Sequence, residues 1–460
     1  MFTAEQLQGA RSLICDGLKL SEDDNLLLLY QSDLTNVADC ITEAASGIGV
    51  NIDRREFARD DFVGGYPETF YPDNLTKFTS PRGIALVIEW SEATTEGRLE
   101  LLRRLQNYAE EWHIASMPGV DLEGLASCNA DFVAIRNYSL IAFAVVARSR
   151  VAVLQTPNPE GALDELRIPI GSYLPILSTG EIPPKTWGNF PSGETYVVPN
   201  PYKASGTVTI RGSLPERPLE ENEWVRCEIK RGRISFGSIR ASSIELETYF
   251  KALFFIPSGR PKCRNANALA ELGIGTNPSI VRLTGKPIFD EKKLGTVHIA
   301  FGRNTQFNGP LESCVHHDIV CTEPTLTLQS KYNAYELVQA GTFAMTKEEA
   351  QPQLETFPAF ERMRVRLTSG KLQPDLQMED EKAVAVCIKY VPTGRAPVFK
   401  IGGAAEAAQV SKMLALVQNA GSITISDLIN TPNCANQKDE CRRLIAGMLE
   451  YGLLKEDSYG

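Results

Sequence analysis

The sequence predicts an α/β protein in three parts: an N-terminal α/β domain with a largely parallel sheet, a β-rich α+β domain, and a C-terminal winged-helix-like module. Three observations predict this order. Helical and strand-like segments alternate over residues 1–160, short strands dominate residues 161–346, and β-type runs precede helical segments within residues 347–460. We therefore expect domain boundaries near residues 160 and 346.

The N-terminal domain is predicted from its alternating periodicity. Apolar runs of strand length are followed by segments with apolar residues at helical spacing, which is typical of a parallel sheet with crossover helices. The predicted elements are a helix over Met1–Leu18, a strand over Asn25–Tyr30, a helix over Leu34–Ala45, a strand over Ile84–Glu89 and a helix over Thr95–Glu110. Six prolines between residues 157 and 184 then indicate a loop-rich boundary.

The second domain is predicted to consist mostly of short strands. Trp224–Ile229 and Arg233–Gly237 read as strands joined by a Lys-Arg-Gly turn, and Ser243–Phe254 is the one clear helix there. The region therefore favours an antiparallel α+β architecture.

The C-terminal segment has the element order of a winged-helix variant, three strands followed by three helices. The predicted strands are Met363–Leu367, Ala383–Tyr390 and Ala396–Ile401, and the predicted helices are Ala404–Asn419, Ser426–Asn430 and Lys438–Tyr451. This order resembles the peptide-recognition module of enzymes that process ribosomally made precursor peptides. Residues 405–460 hold five basic and seven acidic side chains, which favours docking of a peptide or protein over DNA.

The composition excludes several function classes. A formal net charge of -10 without a Lys/Arg block argues against nucleic-acid binding. The longest apolar run, residues 140–147, is too short to cross a bilayer, and the N-terminus does not resemble a signal peptide. Ten cysteines without a CxxC pair favour reduced thiols and a cytoplasmic protein.

The histidines give the best clue to chemistry. Only four occur in 460 residues, and His298, His316 and His317 lie within twenty positions of one another, with Asp318 directly after them. If residues 313–320 form a strand, His316 and Asp318 share one face and His317 points to the other. Imidazole and carboxylate groups bind divalent metals, so the pattern predicts a metal site.

Cys314 and His113 receive simpler interpretations. Cys314 would share the face of His316, and we interpret it as a small buried hydrophobic residue. His113, beside Trp112 and far from the other histidines in sequence, is predicted to be structural.

Two carboxylates occur in unusual surroundings. Glu194 begins an otherwise uncharged strand, and Glu271 lies in a segment rich in alanine, leucine and glycine. A lone carboxylate in an apolar environment costs several kcal/mol unless it is paired or bound to a metal. We therefore expect a cation to face each of them.

Four motifs together resemble the aminopeptidase T family of metallo-aminopeptidases: Asn-Phe-Pro-Ser-Gly-Glu-Thr at 189–195, Ala-Glu-Leu-Gly at 270–273, Gly-Thr-Val-His-Ile-Ala-Phe-Gly at 295–302 and Ser-x-x-His-x-Asp at 313–318. The resemblance covers roughly residues 1–345. It implies a catalytic domain over residues 161–346, two divalent ions (Zn, Co or Mn), a peptide substrate and a homodimer. It assigns the metal ligands as Glu194, Glu271, His298, His316 and Asp318, with Glu194 and Glu271 also the catalytic carboxylates.

The chain departs from this family at one position. The family has a catalytic tyrosine seven residues after the first histidine, where this chain has Thr305, which offers no phenol. The region is also similar to the dihydroxypyridine ring-cleaving dioxygenase, which uses one ferrous ion, and His298, His316 and Asp318 would form the required facial triad. The sequence thus predicts an aminopeptidase-type hydrolase, with a mononuclear Fe(II) dioxygenase and a non-catalytic peptide-binding relative as alternatives.

Overall fold

The computed structural model describes residues 2–63, 65–71, 82–108, 112–173, 175–182, 186–254, 264–307, 309–330, 334–346, 364–367, 372–379, 382–390, 404–420, 423–431, 445 and 454–456. The chain divides into two compact units, Met1–Lys347 and Glu348–Gly460. The predicted division of the first unit near residue 160 stays a prediction.

The first unit contains seven described α-helices and twenty-one described strands. The helices are α1 (Ala4–Arg11), α2 (Thr35–Ile48), α3 (Glu92–Tyr108), α4 (Leu122–Ala126), α5 (Phe132–Arg148), α6 (Ile244–Phe254) and α7 (Pro287–Asp290). The strands are β1 (Asn25–Gln31), β2 (Asn51–Phe57), β3 (Gly83–Ile88), β4 (His113–Pro118), β5 (Val151–Pro157), β6 (Leu163–Pro169), β7 (Ile176–Ser178), β8 (Thr186–Asn189), β9 (Glu194–Val197), β10 (Ser205–Ile210), β11 (Gly212–Leu214), β12 (Arg217–Pro218), β13 (Val225–Lys230), β14 (Arg233–Ile234), β15 (Arg240–Ala241), β16 (Leu269–Gly275), β17 (Val297–Gly302), β18 (His316–Cys321), β19 (Thr325–Gln329), β20 (Ala334–Gln339) and β21 (Thr342–Phe343).

The first sheet has five parallel strands in the order β2-β1-β3-β4-β8. Its central strands are apolar on both faces because helices cover both sides, and Leu26 to Leu29 of β1 are all buried. The α/β class predicted from the alternating pattern is therefore confirmed. β8 adds to this sheet although it lies beyond the predicted boundary at residue 160.

Two antiparallel sheets complete the first unit. One has nine strands, with β14-β13-β10-β6-β5-β19-β20-β21 in order and β15 paired to β13. The other has seven strands in the order β12-β11-β18-β17-β16-β9-β7. The motif residues identified in the sequence lie in the middle of this seven-stranded sheet.

The second unit contains strands and helices of its own: β22 (Arg364–Leu367), β23 (Leu372–Glu379), β24 (Lys382–Tyr390), β25 (Ile423–Thr424), β26 (Leu454–Glu456), α8 (Ala404–Ala420) and α9 (Ile425–Ile429). β23 pairs with β24, and β22 lies between β25 and β26. The predicted strand at 396–401 and all but Ile445 of the predicted helix at 438–451 lie outside the described residues. The winged-helix assignment stays a prediction.

Two further sequence expectations concern the membrane and the cysteines. Within the described ranges, the helices lack the combination of length and apolar character that spanning a membrane requires. Cys15, Cys40, Cys128, Cys227 and Cys321 are free thiols. Cys314 is exposed and disulfide-bonded, so the interpretation of it as a buried hydrophobic residue is wrong.

Candidate metal centre

The candidate site lies on one face of four adjacent strands, β9, β16, β17 and β18. The strand register aligns Glu271 with Ala300 and Ala300 with Asp318, so these residues form one cross-strand row on the same face. His298 lies two residues from Ala300, and His316 two residues from Asp318, which puts both imidazoles on that face as well. Segments far apart in sequence therefore deliver their polar side chains to one place.

Glu194 belongs to the same face through the neighbouring strand. It aligns with Gly275, while Tyr196 aligns with Gly273 and Gly273 aligns with His298. Gly273 is required here because a Cβ at this position would lie 2.0 Å from the His298 ring. The Ala-Glu-Leu-Gly motif thus supplies a ligand-type carboxylate and, two residues later, the space for an imidazole.

Both imidazoles are held in the orientation typical of metal ligands. The Nδ1–H of His298 donates to the carbonyl of Glu291 at 3.2 Å, and the Nδ1–H of His316 donates to the carbonyl of Arg303 at 2.6 Å. Each Nε2 faces the carboxylates, and it would give up its proton on binding a metal ion. A backbone carbonyl on the far nitrogen is a recurrent feature of metal-binding histidines.

The Glu271 carboxylate lies between the two imidazoles. Its Oε1 is 3.3 Å from His298 Nε2, and its Oε2 is 3.3 Å from His316 Nε2. His298 Nε2 is also 3.7 Å from Glu194, and His316 Nε2 is 3.4 Å from Asp318. Glu271 Oε2 is buried and makes no hydrogen bond, an arrangement that a bound cation would satisfy.

Three groups of three side chains can each hold a metal ion. They are Glu194–Glu271–His298, Glu271–His316–Asp318 and Glu291–His298–Asp318, each with ligand atoms within 4.8 Å of one another. Among the described residues each group contains one imidazole, so His298 and His316 belong to different groups. The first two groups share Glu271.

Glu291 and Lys292 are parts of the centre that sequence reasoning missed. The Lys292 ammonium lies 3.1 Å from Glu194 and in contact with Glu291, and its side chain is 0% exposed. It is the cation that the sequence required opposite Glu194. The residues fall in a run of four charged side chains, 290–293, which reads as a solvated surface, so their sequence offered no sign of burial.

The centre holds more carboxylates than fixed cations. The carboxylates Glu194, Glu271, Glu291 and Asp318 face the single ammonium of Lys292, which leaves three negative charges uncompensated when all four are ionised and the imidazoles are neutral. Burying such a charge is costly without further cations. The donor set of carboxylates and imidazoles suits a divalent metal ion.

The pKa values reflect the same excess of carboxylates over cations. Burial lowers the pKa of His298, but Glu271 and the other carboxylates outweigh burial and raise it to about 9. Burial likewise opposes protonation of His316, whose pKa is nevertheless raised by Asp318 and Glu271. Burial raises the pKa of Asp318, but His316 lowers it below its usual range. The imidazoles therefore attract protons in the absence of a stronger cation.

One side of the centre is open to solvent. The side chains of His316 and Asp318 are 16% and 12% exposed, whereas His298 is completely buried. The Phe307 ring lies against both His316, at 5.6 Å between centroids, and Tyr196, at 4.9 Å. A ligand from solvent would thus meet His316 and Asp318 first, beside these two aromatic rings.

The Tyr196 phenol is a further group that sequence reasoning missed. Burial and the nearby charges of Glu194, Glu271 and Glu291 raise the pKa of Tyr196 well above 10. Its place two residues after Glu194 on a strand was a usable signal, since such residues share a face.

The remaining candidate residues lie elsewhere. His317 lies on the opposite face, where it is buried and its Nε2–H donates to the carbonyl of Leu253 at 3.1 Å. Thr305 is exposed in a 3-10 turn. His113 is a buried strand residue bonded to the carbonyl of Ile182 at 2.6 Å, as its structural interpretation predicted.

No family model matches the chain, and no curated protein matches it. Among solved structures, 2,5-dihydroxypyridine dioxygenase from Pseudomonas putida KT2440 matches with a TM-score of 0.57 at 16% identity, over 76% of this chain and 100% of that one. Wild-type AmpT from Thermus thermophilus matches with a TM-score of 0.49 at 16% identity, over 74% of this chain and 99% of that one. The first likeness shows a shared fold, and at this identity it does not extend to the reaction.

Proposed function

We propose that the chain is a metal-dependent hydrolase of the aminopeptidase type, acting on a peptide with two divalent ions. The observation that supports this best is the Glu271 carboxylate, with one oxygen facing His298 and the other facing His316 at equal distances of 3.3 Å. A carboxylate shared by two imidazoles is suited to bridging a pair of ions. A single-ion facial triad would need both imidazoles in one group.

The side chains divide between two neighbouring positions. Glu194, Glu271 and His298 would hold one ion, and Glu271, His316 and Asp318 would hold the other. When bound, two such ions would polarise a scissile carbonyl and activate a water molecule near neutral pH. The buried carboxylates and the fixed Nδ1–H bonds hold the ligands in position before substrate arrives.

Tyr196 supplies a phenol although Thr305 does not. Because burial and the carboxylates keep its pKa well above 10, Tyr196 stays protonated near neutral pH and can act as a hydrogen-bond donor. Its ring lies beside Phe307 at the open side of the centre. We therefore assign to Tyr196 the role of donor to an oxygen of the bound peptide.

Metal analysis combined with two assays tests the proposal. We expect two zinc, cobalt or manganese ions per chain and release of N-terminal residues from peptides, both abolished in His316→Ala. One ferrous ion with oxygen consumption, measured against an anaerobic control, would instead establish the dioxygenase. A protein whose peptide binding survives His316→Ala without any turnover would be the non-catalytic relative.

We also propose that residues 347–460 capture a peptide or protein, such as a ribosomally made precursor, as a winged-helix-like module. The acidic and basic side chains of residues 405–460 are nearly balanced, which suits a peptide better than nucleic acid. Removing residues 347–460 is expected to weaken capture of a long peptide and spare turnover of a short one. Equal loss of both by a folded truncated chain would refute this role.

A further inference from the structure

We infer that Lys292, whose buried ammonium lies against Glu194, makes the two sites of the metal centre unequal. The Glu271–His316–Asp318 group, the outer site, would bind the first divalent ion. The Glu194–Glu271–His298 group, the inner site, would bind a second ion more weakly, because that ion competes with the Lys292 ammonium for Glu194. This inference rests on the proposed two-ion function and adds an order of filling.

Of the two carboxylates that Lys292 contacts, Glu194 belongs to the inner site, and Glu291 forms a third group with His298 and Asp318. The Lys292 ammonium is 3.1 Å from Glu194 and touches Glu291, while neither His316 nor Asp318 forms an ion pair with it. An ion at the inner site would approach a positive charge held against one of its own ligands. At short range inside a protein such repulsion weakens binding of the ion.

Lys292 cannot easily move aside. It is completely buried, and its backbone is tied to Asn277, two residues beyond β16: Asn277 N–H donates to the Lys292 carbonyl at 2.8 Å, and Leu294 N–H donates to the Asn277 carbonyl at 3.0 Å. The ammonium is therefore built into the inner site.

The outer site has the opposite character. His316 and Asp318 are partly exposed, so an ion can enter from solvent, and Glu271 Oε2 faces this side at 3.3 Å from His316 Nε2. The Lys292 ammonium forms no ion pair with His316 or Asp318 there. Both access and charge favour filling of the outer site first.

Titration of the metal-free, full-length protein with Mn²⁺ tests the inference, with free Mn²⁺ measured by electron paramagnetic resonance. We expect two classes of site whose Kd values differ by about tenfold or more. His316→Ala should remove the tight class, and His298→Ala should remove only the weak class. A single tight class that His316→Ala removes and His298→Ala spares would also support the inference.

Lys292→Met then tests the cause. It keeps an unbranched side chain of similar length, and we expect the weak Kd to fall by about tenfold toward the tight one. Lys293→Met, which changes the neighbouring lysine and no contact of the centre, should leave both Kd values unchanged. If Lys292→Met does not fold, the two histidine variants still decide the order of filling.

Two results would overturn the inference while leaving the proposed function intact. One is equal Kd values for both ions in a protein that hydrolyses peptides, and the other is loss of the tight class in His298→Ala. Absence of Mn²⁺ binding in the wild-type protein would overturn the two-ion function itself.

Discussion

The two faces of the strands β16, β17 and β18 differ completely although they alternate residue by residue. One face presents Glu271, His298, His316 and Asp318 to the metal centre. The other packs Val297, Ile299, Phe301 and Ile319 into the core, all with 0% exposure, and α6 contributes Phe254 against Phe301. His316 and His317 are sequence neighbours that belong to opposite faces.

The surroundings of each histidine determine its pKa and its role. Burial, followed by the nearby charge of His316, lowers the pKa of His317 to about 4, and His317 keeps a neutral ring against Phe254. The pKa of His316 shifts the other way because Asp318 and Glu271 outweigh its burial. One residue is suited to bind a cation, and its neighbour is suited to support a core.

The largest expected effect contrasts these two histidines. His316→Ala should lower metal affinity by more than about 100-fold, since losing even a supporting residue of a metal site typically costs about 10–100-fold. His317→Ala should leave the affinity nearly unchanged and destabilise the fold by about 1–3 kcal/mol, because it leaves a cavity and removes the hydrogen bond to the Leu253 carbonyl. Isothermal titration calorimetry and thermal unfolding measure the two effects. Equal loss of metal affinity in both variants would contradict the assignment of His316 alone to the metal centre.

The next effect concerns the glycine that makes room for His298. Gly273→Ala puts a Cβ 2.0 Å from the imidazole, so the ring must leave its position beside Glu271. We expect metal affinity to fall by about tenfold or more and stability to fall by about 1–3 kcal/mol. Gly237→Ala is the matched control, since a Cβ there meets nothing within 4 Å. Metal titration measures the affinity of both variants, and a normal metal affinity in Gly273→Ala would contradict this prediction.

Strand alternation alone predicted the opposite faces of His316 and His317, because a period of two needs no tertiary information. It could not predict which distant strands meet. The motif resemblance selected Glu194 and Glu271 as partners, and the register of β9 and β16 then shows them on the same face as His298. Their metal binding stays a prediction.

Lys292 shows where sequence reasoning ends. A buried lysine has no local pattern, because its burial depends on Glu194 and Glu291 arriving from elsewhere to compensate its charge. The disulfide of Cys314 was missed for a similar reason, since pairing depends on proximity in space. The general α/β class, in contrast, follows from periodicity and could be predicted.

A pH experiment sharpens the contrast at His317. Its folded pKa of about 4 lies below the ordinary 6.5, so between these values the unfolded chain binds a proton that the folded chain does not. The contribution of His317 to the free energy of unfolding should therefore be largest above pH 6.5 and decline as the pH falls toward 4. His317→Gln retains an amide N–H for the Leu253 carbonyl but does not titrate. Denaturant unfolding of metal-free protein should show a shallower decline in this variant, and identical pH profiles would contradict the assignment.

The smallest effect on the metal centre is expected at Tyr196, which lies on the metal face without belonging to any of the three ligand groups. Tyr196→Phe removes only the hydroxyl and keeps the ring contact with Phe307. The Kd for metal should stay within about threefold, while kcat/KM for a peptide should fall by about tenfold, the usual effect of losing one hydrogen bond to a polarised oxygen. Phe307→Leu, which removes a ring contact but no donor, is the control for altered packing. Because the phenol is a neutral donor among carboxylates, its loss should not release a metal ion. Loss of metal from Tyr196→Phe would show instead that the hydroxyl supports the metal ligands. An unchanged kcat/KM would show that the hydroxyl does not contact the substrate.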